Sequence, residues 1–326
     1  MKKDKFLSNP TRPIEVSPGM SCSDLLTGLE GCSFQGRRLA RAARIWTRAL
    51  DEDVTVWFGL SGAMVPAGMR KVIVSLLERR FIDVIVSTGA NLYHDFHETI
   101  GNYHYLGSHH ADDRELRKER IDRIYDTYVD EEEFIALDKY IGKWAAETLE
   151  DRSYTTREFL ELLGREAGER SKGEKGILST AAELGVPVYC PAFGDSSIGI
   201  ALTEADRDFE FDIIRDVEET ARLAAEKENL VIYVGGGTPK NFIQQTEVTN
   251  IVHDRNATGH KYAIQFVVDA PHWGGLSGCT FEEAISWGKI SIEAESVTVV
   301  CDATIALPIA AAAVITRREG KKRPGE

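Results

Sequence analysis

Cysteine is sparse: Cys22, Cys32, Cys190, Cys279 and Cys301 are the only five in 326 residues, and none forms a C-x-x-C pair. The scatter excludes a disulfide framework and predicts reduced thiols in a cytoplasmic protein. No apolar run is long enough for a bilayer, because the stretch from Ala303 to Val314 is short and broken by Pro308. The opening Met1-Lys2-Lys3-Asp4-Lys5-Phe6 lacks the apolar centre of a secretory signal. Basic charge is also scarce, with 39 Lys and Arg against 52 Asp and Glu. A formal charge of -13 argues against a nucleic-acid or anionic-membrane partner and is compatible with a cationic ligand. The G-x-G-x-x-G fingerprint, the Walker loop and H-E-x-x-H are missing, and neither internal repeats nor low-complexity segments occur.

Hydrophobic residues make up 43% of the chain, enough to fill a sizeable core, and the length suits one large α/β domain. Runs rich in Val, Ile and aromatics predict strands at Val54 to Gly59, Ile82 to Val86, Val186 to Cys190, Leu230 to Val234, Tyr262 to Val268 and Val297 to Cys301. Helical spacing fills the intervals, notably residues 36–53, 131–149, 155–170, 176–184 and 211–227. Such alternation predicts a doubly wound, mostly parallel sheet. Residues 1–20, with three prolines, read as an arm, 21–316 as a single catalytic domain, and 317–326 as a charged, frayed tail. Residues 101–130 show no regular pattern.

Several predicted strands end in small-residue turns: Gly62 to Pro66, Ser87 to Ala90, Pro191 to Gly199 with Asp195, and Gly235-Gly236-Gly237. In an open parallel sheet the ligand crevice lies outside the carboxyl ends of the strands, so these turns point to one face. After the glycines, Thr238 suits an N-cap and Pro239 the first helical position, a helix start able to meet an anion. Asp195 is also placed to cap the turn that follows it.

The segment Ser277 to Ile290 carries the candidate chemistry. Thr280 and Glu283 have capping-box spacing, Gly288 is a helix stop, and Lys289 follows at the edge of a strand. Glu283 and Trp287, four apart, share a face near that lysine, which makes Lys289 the candidate nucleophile. Bland roles are open to all three: a lysine at a helix end suits the macrodipole, Glu283 suits capping and Trp287 suits the core. Five histidines, His94, His97, His104, His109 and His110, lie close together and raise a metal site, but no third ligand partner is evident and no metal is expected.

Through Ser286-Trp287-Gly288-Lys289-Ile290, and through Gly235-Gly236-Gly237 with Lys240, the chain resembles the deoxyhypusine synthase family over almost its whole length. Pro191-Ala192 with Asp195, Leu106-Gly107 and Asp302-Ala303 extend the match. The resemblance implies a Rossmann-like homotetramer with NAD held at sites between paired subunits. It implies that NAD takes hydride from spermidine, that Lys289 receives the aminobutyl group as an imine, and that an acceptor amine takes it over. The implied cofactor contacts are Gly62 and Ala63, Thr88, Gly89 and Ala90, Asp195, Gly236, Val268 with Asp269, and Asp302 with Ala303.

For the polyamine, the resemblance implies Glu283, Trp287, Asn241 in place of a family histidine, and Tyr93 and His94 in place of two glutamates. Ile200 and Leu276 stand where the family has acids, and Asp269 where a small residue is expected. This pocket looks like that of the bacterial deoxyhypusine synthase-like branch. The implied acceptor is a protein lysine on the hypusine-bearing translation factor or a small amine such as putrescine, the latter being homospermidine synthesis. The rival classes are an NAD-dependent amine oxidoreductase in which Lys289 acts only by charge, a metal hydrolase and a non-catalytic nucleotide binder.

Overall fold

The structure is a computed structural model that describes residue 3 and residues 6–324. Helices α1 (Cys22–Leu29) and α2 (Phe34–Ala49) precede β1 (Val54–Leu60), α3 (Arg70–Glu78), β2 (Val84–Ser87) and α4 (Gly89–Thr99). A small insertion follows, built of β3 (Tyr105–Leu106), α5 (Asp113–Lys118), β4 (Ile121–Ile124) and β5 (Thr127–Asp130). Helices α6 (Glu131–Thr148), α7 (Thr156–Arg170) and α8 (Ile177–Leu184) lead to β6 (Val188–Tyr189), α9 (Ser197–Leu202) and α10 (Ile213–Glu226). The last third runs β7 (Glu228–Val234), α11 (Gly237–Val252), β8 (His260–Val267), α12 (Phe281–Ser286), β9 (Ile290–Val300) and α13 (Ala303–Arg317).

The expected strands all form, in one sheet of order β6-β2-β1-β7-β8-β9 with every neighbouring pair parallel. The order reverses between β1 and β7, the switch point at which open α/β sheets bind ligands. Every residue of β1 is buried, as a strand covered on both faces requires. Alternation along the strand divides the core in two. Val56 and Phe58 join a cluster with Trp46 and Leu307 on one face, while Trp57 joins Tyr233, Ile243 and Phe281 on the other. The second face is the one that carries α11 and α12.

Three expectations need correction. Residues 101–130 are not wholly irregular: β3, β5 and β4 form a small antiparallel sheet, illegible because its strands are short and Leu106 is fully exposed. Helix α11 starts at Gly237 with Gly236 as N-cap, so Thr238 and Pro239 lie inside its first turn. The tail is pinned, not frayed. Arg317 donates to Ser23 Oγ and Thr27 Oγ1 at 3.2 and 3.1 Å, Arg318 pairs with Asp51, and Arg323 reaches both Asp83 oxygens at 2.8 and 2.9 Å. The arm also packs on its own subunit at Arg12, whose N–H donates to Gly31 O at 2.8 Å. Expectations for residues 1, 2, 4, 5, 325 and 326 lie outside the described residues.

Arg323→Ala is expected to cost about 2 kcal/mol in urea unfolding, because a charge-assisted fork on a half-buried carboxylate is lost. An unchanged midpoint would show the tail to be only loosely held.

Candidate active site

Local sequence rules fix the lysine. Thr280 Oγ1 accepts the Glu283 N–H at 3.1 Å and starts α12, but the Glu283 carboxylate does not close the box by returning to Thr280. At the other end Gly288, at φ 70°, lets the chain turn back: its N–H donates to Ile285 O at 2.9 Å and the Lys289 N–H to Ala284 O at 3.1 Å. That pair of bonds is a Schellman motif, which wants glycine at this position. The Lys289 carbonyl then accepts from His260 N–H at 3.1 Å. Both peptide groups of Lys289 are therefore held by backbone, and its side chain is free for chemistry.

The side chain enters a cavity of roughly 270 Å³ between α11 and α12. Lys289 Nζ donates to Asn241 Oδ1 at 3.2 Å and sits 5.4 Å from the Trp287 ring, within cation–π range. Glu283, Gln244, Cys279 and Leu276 line the same space. Four of the expected residues, Lys289, Asn241, Glu283 and Trp287, are thus brought together. A larger cleft of roughly 650 Å³ adjoins it between Arg37, Arg41 and Asp269, but no lysine or histidine lines it.

Lys240, treated above only as part of a motif, is the main residue that sequence reasoning missed. It is 1% exposed, and its Nζ donates to Cys279 O at 2.5 Å and to Gln265 Oε1 at 3.1 Å. Gln265 in turn donates to Gly235 O and Ser277 O, each at 2.9 Å. This buried clamp joins the glycine turn, the loop entering α12 and strand β8. Burial pushes the Lys240 ammonium down to about 8, with Cys279 and Glu283 opposing and Lys289 pushing the same way. The available signal was the polar stripe Lys240, Gln244 and Glu247 at helical spacing, all buried on α11.

The expected cofactor residues lie together at the carboxyl edge of the sheet. Gly62 and Ala63 follow β1, Thr88 leads from β2 into α4 at Gly89 and Ala90, Asp195 follows β6, and Gly236 follows β7. Val268 with Asp269 follows β8, and Asp302 with Ala303 follows β9. Side chains tie neighbouring turns: Asn91 Nδ2 donates to Gly62 O and Thr88 Oγ1 at 2.6 and 3.2 Å, and Ser61 Oγ donates to Gly236 O. Helices α4 and α11 begin on this edge with no side-chain cap, whereas Asp302 Oδ1 caps α13 through Thr304 N–H at 2.7 Å. Asp195 caps nothing, since Ser196 is the N-cap of α9.

Gly236 is needed for a packing reason. A Cβ there would meet Ser277 Cβ at 2.8 Å and Ser277 O at 3.1 Å. Gly236→Ala is therefore expected to push the Ser277 loop off its clamp and lower turnover about tenfold or more, with a stability loss of about 1–3 kcal/mol. Unchanged turnover would show the loop to be compliant.

Tyr93 and His94 are not in the Lys289 cavity. Tyr93 is 1% exposed and donates its hydroxyl to Phe134 O at 3.0 Å, so it belongs to the core of this subunit. Ile200, on α9, is exposed away from the cavity, whereas Leu276 does line it. The histidines engage one another and carboxylates, and among the described residues no group of three His, Cys, Asp or Glu is arranged to hold a metal. The cysteines are free, and among the described residues no helix is long and apolar enough to cross a membrane.

Comparison with known proteins gives the family and the fold. The family model described as Deoxyhypusine synthase matches residues 24–314. A Methanosarcina acetivorans protein named "Probable deoxyhypusine synthase 2" is 49% identical over 99% of this chain and 94% of its own. A Chlorobaculum tepidum "Deoxyhypusine synthase-like protein" is 37% identical over 99% of this chain and 94% of its own. Among solved structures, one from Entamoeba histolytica under the same enzyme name superposes with TM-score 0.63 at 14% identity, covering 96% of this chain and 98% of that one, a likeness of fold. On the family-model match and the identity to full-length relatives, the chain belongs to the deoxyhypusine synthase family and is an enzyme of the transferase class.

Proposed function

We propose that this enzyme is an NAD-dependent aminobutyl transferase that takes the group from a polyamine such as spermidine, holds it as an imine on Lys289 and passes it to an acceptor amine. The observation that carries the proposal is the anchoring of Lys289 by both peptide groups beside an open cavity lined by Asn241, Glu283 and Trp287. An amine attacks only when unprotonated, and Asn241 Oδ1 can orient the nitrogen by accepting one of its hydrogens. Glu283 offers a carboxylate to a distal ammonium, and the Trp287 face shapes the methylene channel. In this reading Lys289 Nζ bonds to the donor carbon once hydride has been removed from it, the departing amine leaves with a proton, the acceptor amine displaces Lys289, and the resulting imine on the acceptor is reduced by the return of the same hydride.

NAD, when bound, would supply the hydride acceptor without which a C–N bond is inert. The residues fit it: two long helices begin uncapped at the switch-point edge, α11 after β7 and α4 after β2, and free helix amides suit a pyrophosphate. Gly62, Ala63, Thr88, Gly89, Ala90, Asp195, Gly236, Val268, Asp302 and Ala303 would hold it. We take the working form to be a cytoplasmic homotetramer; Val268, Trp273 and Leu276 are exposed apolar residues that a partner subunit could cover, and Leu276 lines the cavity. The acceptor is a protein lysine of the hypusine-bearing translation factor or a small amine such as putrescine. Incubation with NAD, spermidine and each acceptor, followed by mass spectrometry of protein and small-molecule products, tests the proposal. Transfer to either acceptor without net NADH supports it. NADH accumulating with release of an oxidised amine supports the oxidoreductase instead.

A further inference from the structure

Behind Lys289, outside the cavity lining, α11 and β8 bury an acid–base pair that no step above uses. Glu247, on α11, is 3% exposed, and His260, the first residue of β8, is fully buried. Glu247 Oε2 accepts the Gly259 N–H at 2.9 Å, and its Oε1 lies 3.6 Å from His260 Nδ1. His260 Nε2 lies 3.3 Å from Ile243 O, one turn back along α11. No Lys or Arg pairs with Glu247 among the described residues, and the Tyr233 hydroxyl of β7, also close to it, is kept protonated by burial.

The Gly259–His260 corner sits against the lysine's own backbone. His260 N–H donates to Lys289 O at 3.1 Å, and a Cβ on Gly259 would meet Ser291 N at 2.5 Å and the Ile290 carbonyl carbon at 2.6 Å. Helix α11 therefore holds Lys289 at two ends. Asn241 holds the amine at 3.2 Å, and Glu247 holds the carbonyl through that corner.

The neighbours of the pair place its protons. The Ile243 carbonyl only accepts, so His260 Nε2 carries a hydrogen. Burial pushes the His260 ring down to about 4, which leaves it neutral with a bare Nδ1, and this buried nitrogen has no hydrogen-bond partner. It faces Glu247 Oε1. A carboxylate there would set lone pair against lone pair in a buried site, whereas a carboxylic acid has a hydrogen to give. Burial acts on Glu247 in the same sense, pushing it up to about 7 against the opposing Gly259 N–H.

We infer that Glu247 and His260 are positioning residues for the transfer: Glu247, as a neutral acid, donates to His260 Nδ1, and the joined pair locks the Gly259–His260 corner so that Lys289 Nζ stays in place beside Asn241. The 3.6 Å separation is a little longer than a hydrogen bond and closes when the acid turns its hydroxyl toward the ring. The inference rests on the transferase reading above, because it needs Lys289 to be the attacking group. The pair works without charge, so a glutamine amide, with one donor and one acceptor to offer, suits the same place.

The test follows the rate at which the full-length protein, given NAD and spermidine, forms a borohydride-trapped adduct on Lys289, read by mass spectrometry. Glu247→Met and His260→Leu are each expected to slow it about tenfold, with the half-saturating spermidine concentration changed less than about threefold. Glu247→Gln is expected to recover most of that loss, and the double variant Glu247→Met with His260→Leu to be no slower than the slower single one, as for residues that act as a unit. In the infrared spectrum of the wild type at pH 6, a carboxylic-acid C=O band that disappears in Glu247→Gln is expected. Absence of that band overturns the inference whether or not the other variants fold, and so does a Glu247→Gln variant as slow as Glu247→Met. A wild-type adduct formed at an unchanged rate in Glu247→Met overturns this inference alone, whereas no adduct in the wild type overturns the transferase reading and this inference with it.

Discussion

Lys289→Arg is expected to lower transfer by roughly a thousandfold or more, about 4 kcal/mol of barrier, while the melting temperature moves by less than about 2 °C. Arginine keeps the charge and much of the aliphatic stem, yet a guanidinium does not form an imine. The fold should tolerate it because backbone groups make the local structure: the Schellman bonds and the His260 contact do not involve the side chain. The variant also separates the rival enzyme classes. If Lys289 acts only by charge in an amine oxidoreductase, Lys289→Arg should still form NADH from spermidine at nearly the wild-type rate. The covalent reading predicts that no transferred product appears with any acceptor.

The second large effect lies behind the nucleophile. Lys240→Met leaves Cys279 O and Gln265 Oε1 without their buried donor, a loss of about 1–3 kcal/mol for each acceptor. Turnover should fall about a hundredfold, because the clamp sets where α12 begins and an error near 1 Å at a nucleophile carries that cost. The pH dependence gives a specific check. Lys240 has its pKa lowered from 10.5 to about 8 in the folded protein, so between those values the unfolded chain binds more protons than the folded one. Stability attributable to this residue therefore rises with pH across that window. Urea midpoints measured at pH 8 and pH 10 should show a wild-type gain, relative to Lys240→Met, at the higher pH. An identical pH response in the two proteins would show that Lys240 titrates alike folded and unfolded.

The sequence made much of this visible because the information was local. Strands such as Val54–Leu60 are runs of apolar and β-branched residues, and a strand buried on both faces has to read that way. The exit of α12 was legible because Gly288 is required by a left-handed turn and Lys289 follows it directly. What stayed hidden depends on partners far along the chain. Lys240 reads as an ordinary helix lysine until β8 brings Gln265 to it. Arg318 and Arg323 read as a solvated tail until Asp51 and Asp83 meet them. The spacing of His94, His97 and His104 does not show that His104 sits between Glu98 and His94 while His97 meets Glu133, because those partners come together only in the fold. The misplaced start of α11 has a similar origin: Thr238 and Pro239 favour a helix start locally, but the approach of Ser277 to Gly236 sets the turn.

The most direct test of the covalent role is to incubate the protein with NAD and spermidine, reduce with borohydride and map the peptides by mass spectrometry. An aminobutyl mass increment on the peptide containing Lys289, dependent on NAD and missing from Lys289→Arg, is the predicted result. No increment, or one carried by Lys240 in its place, would contradict it.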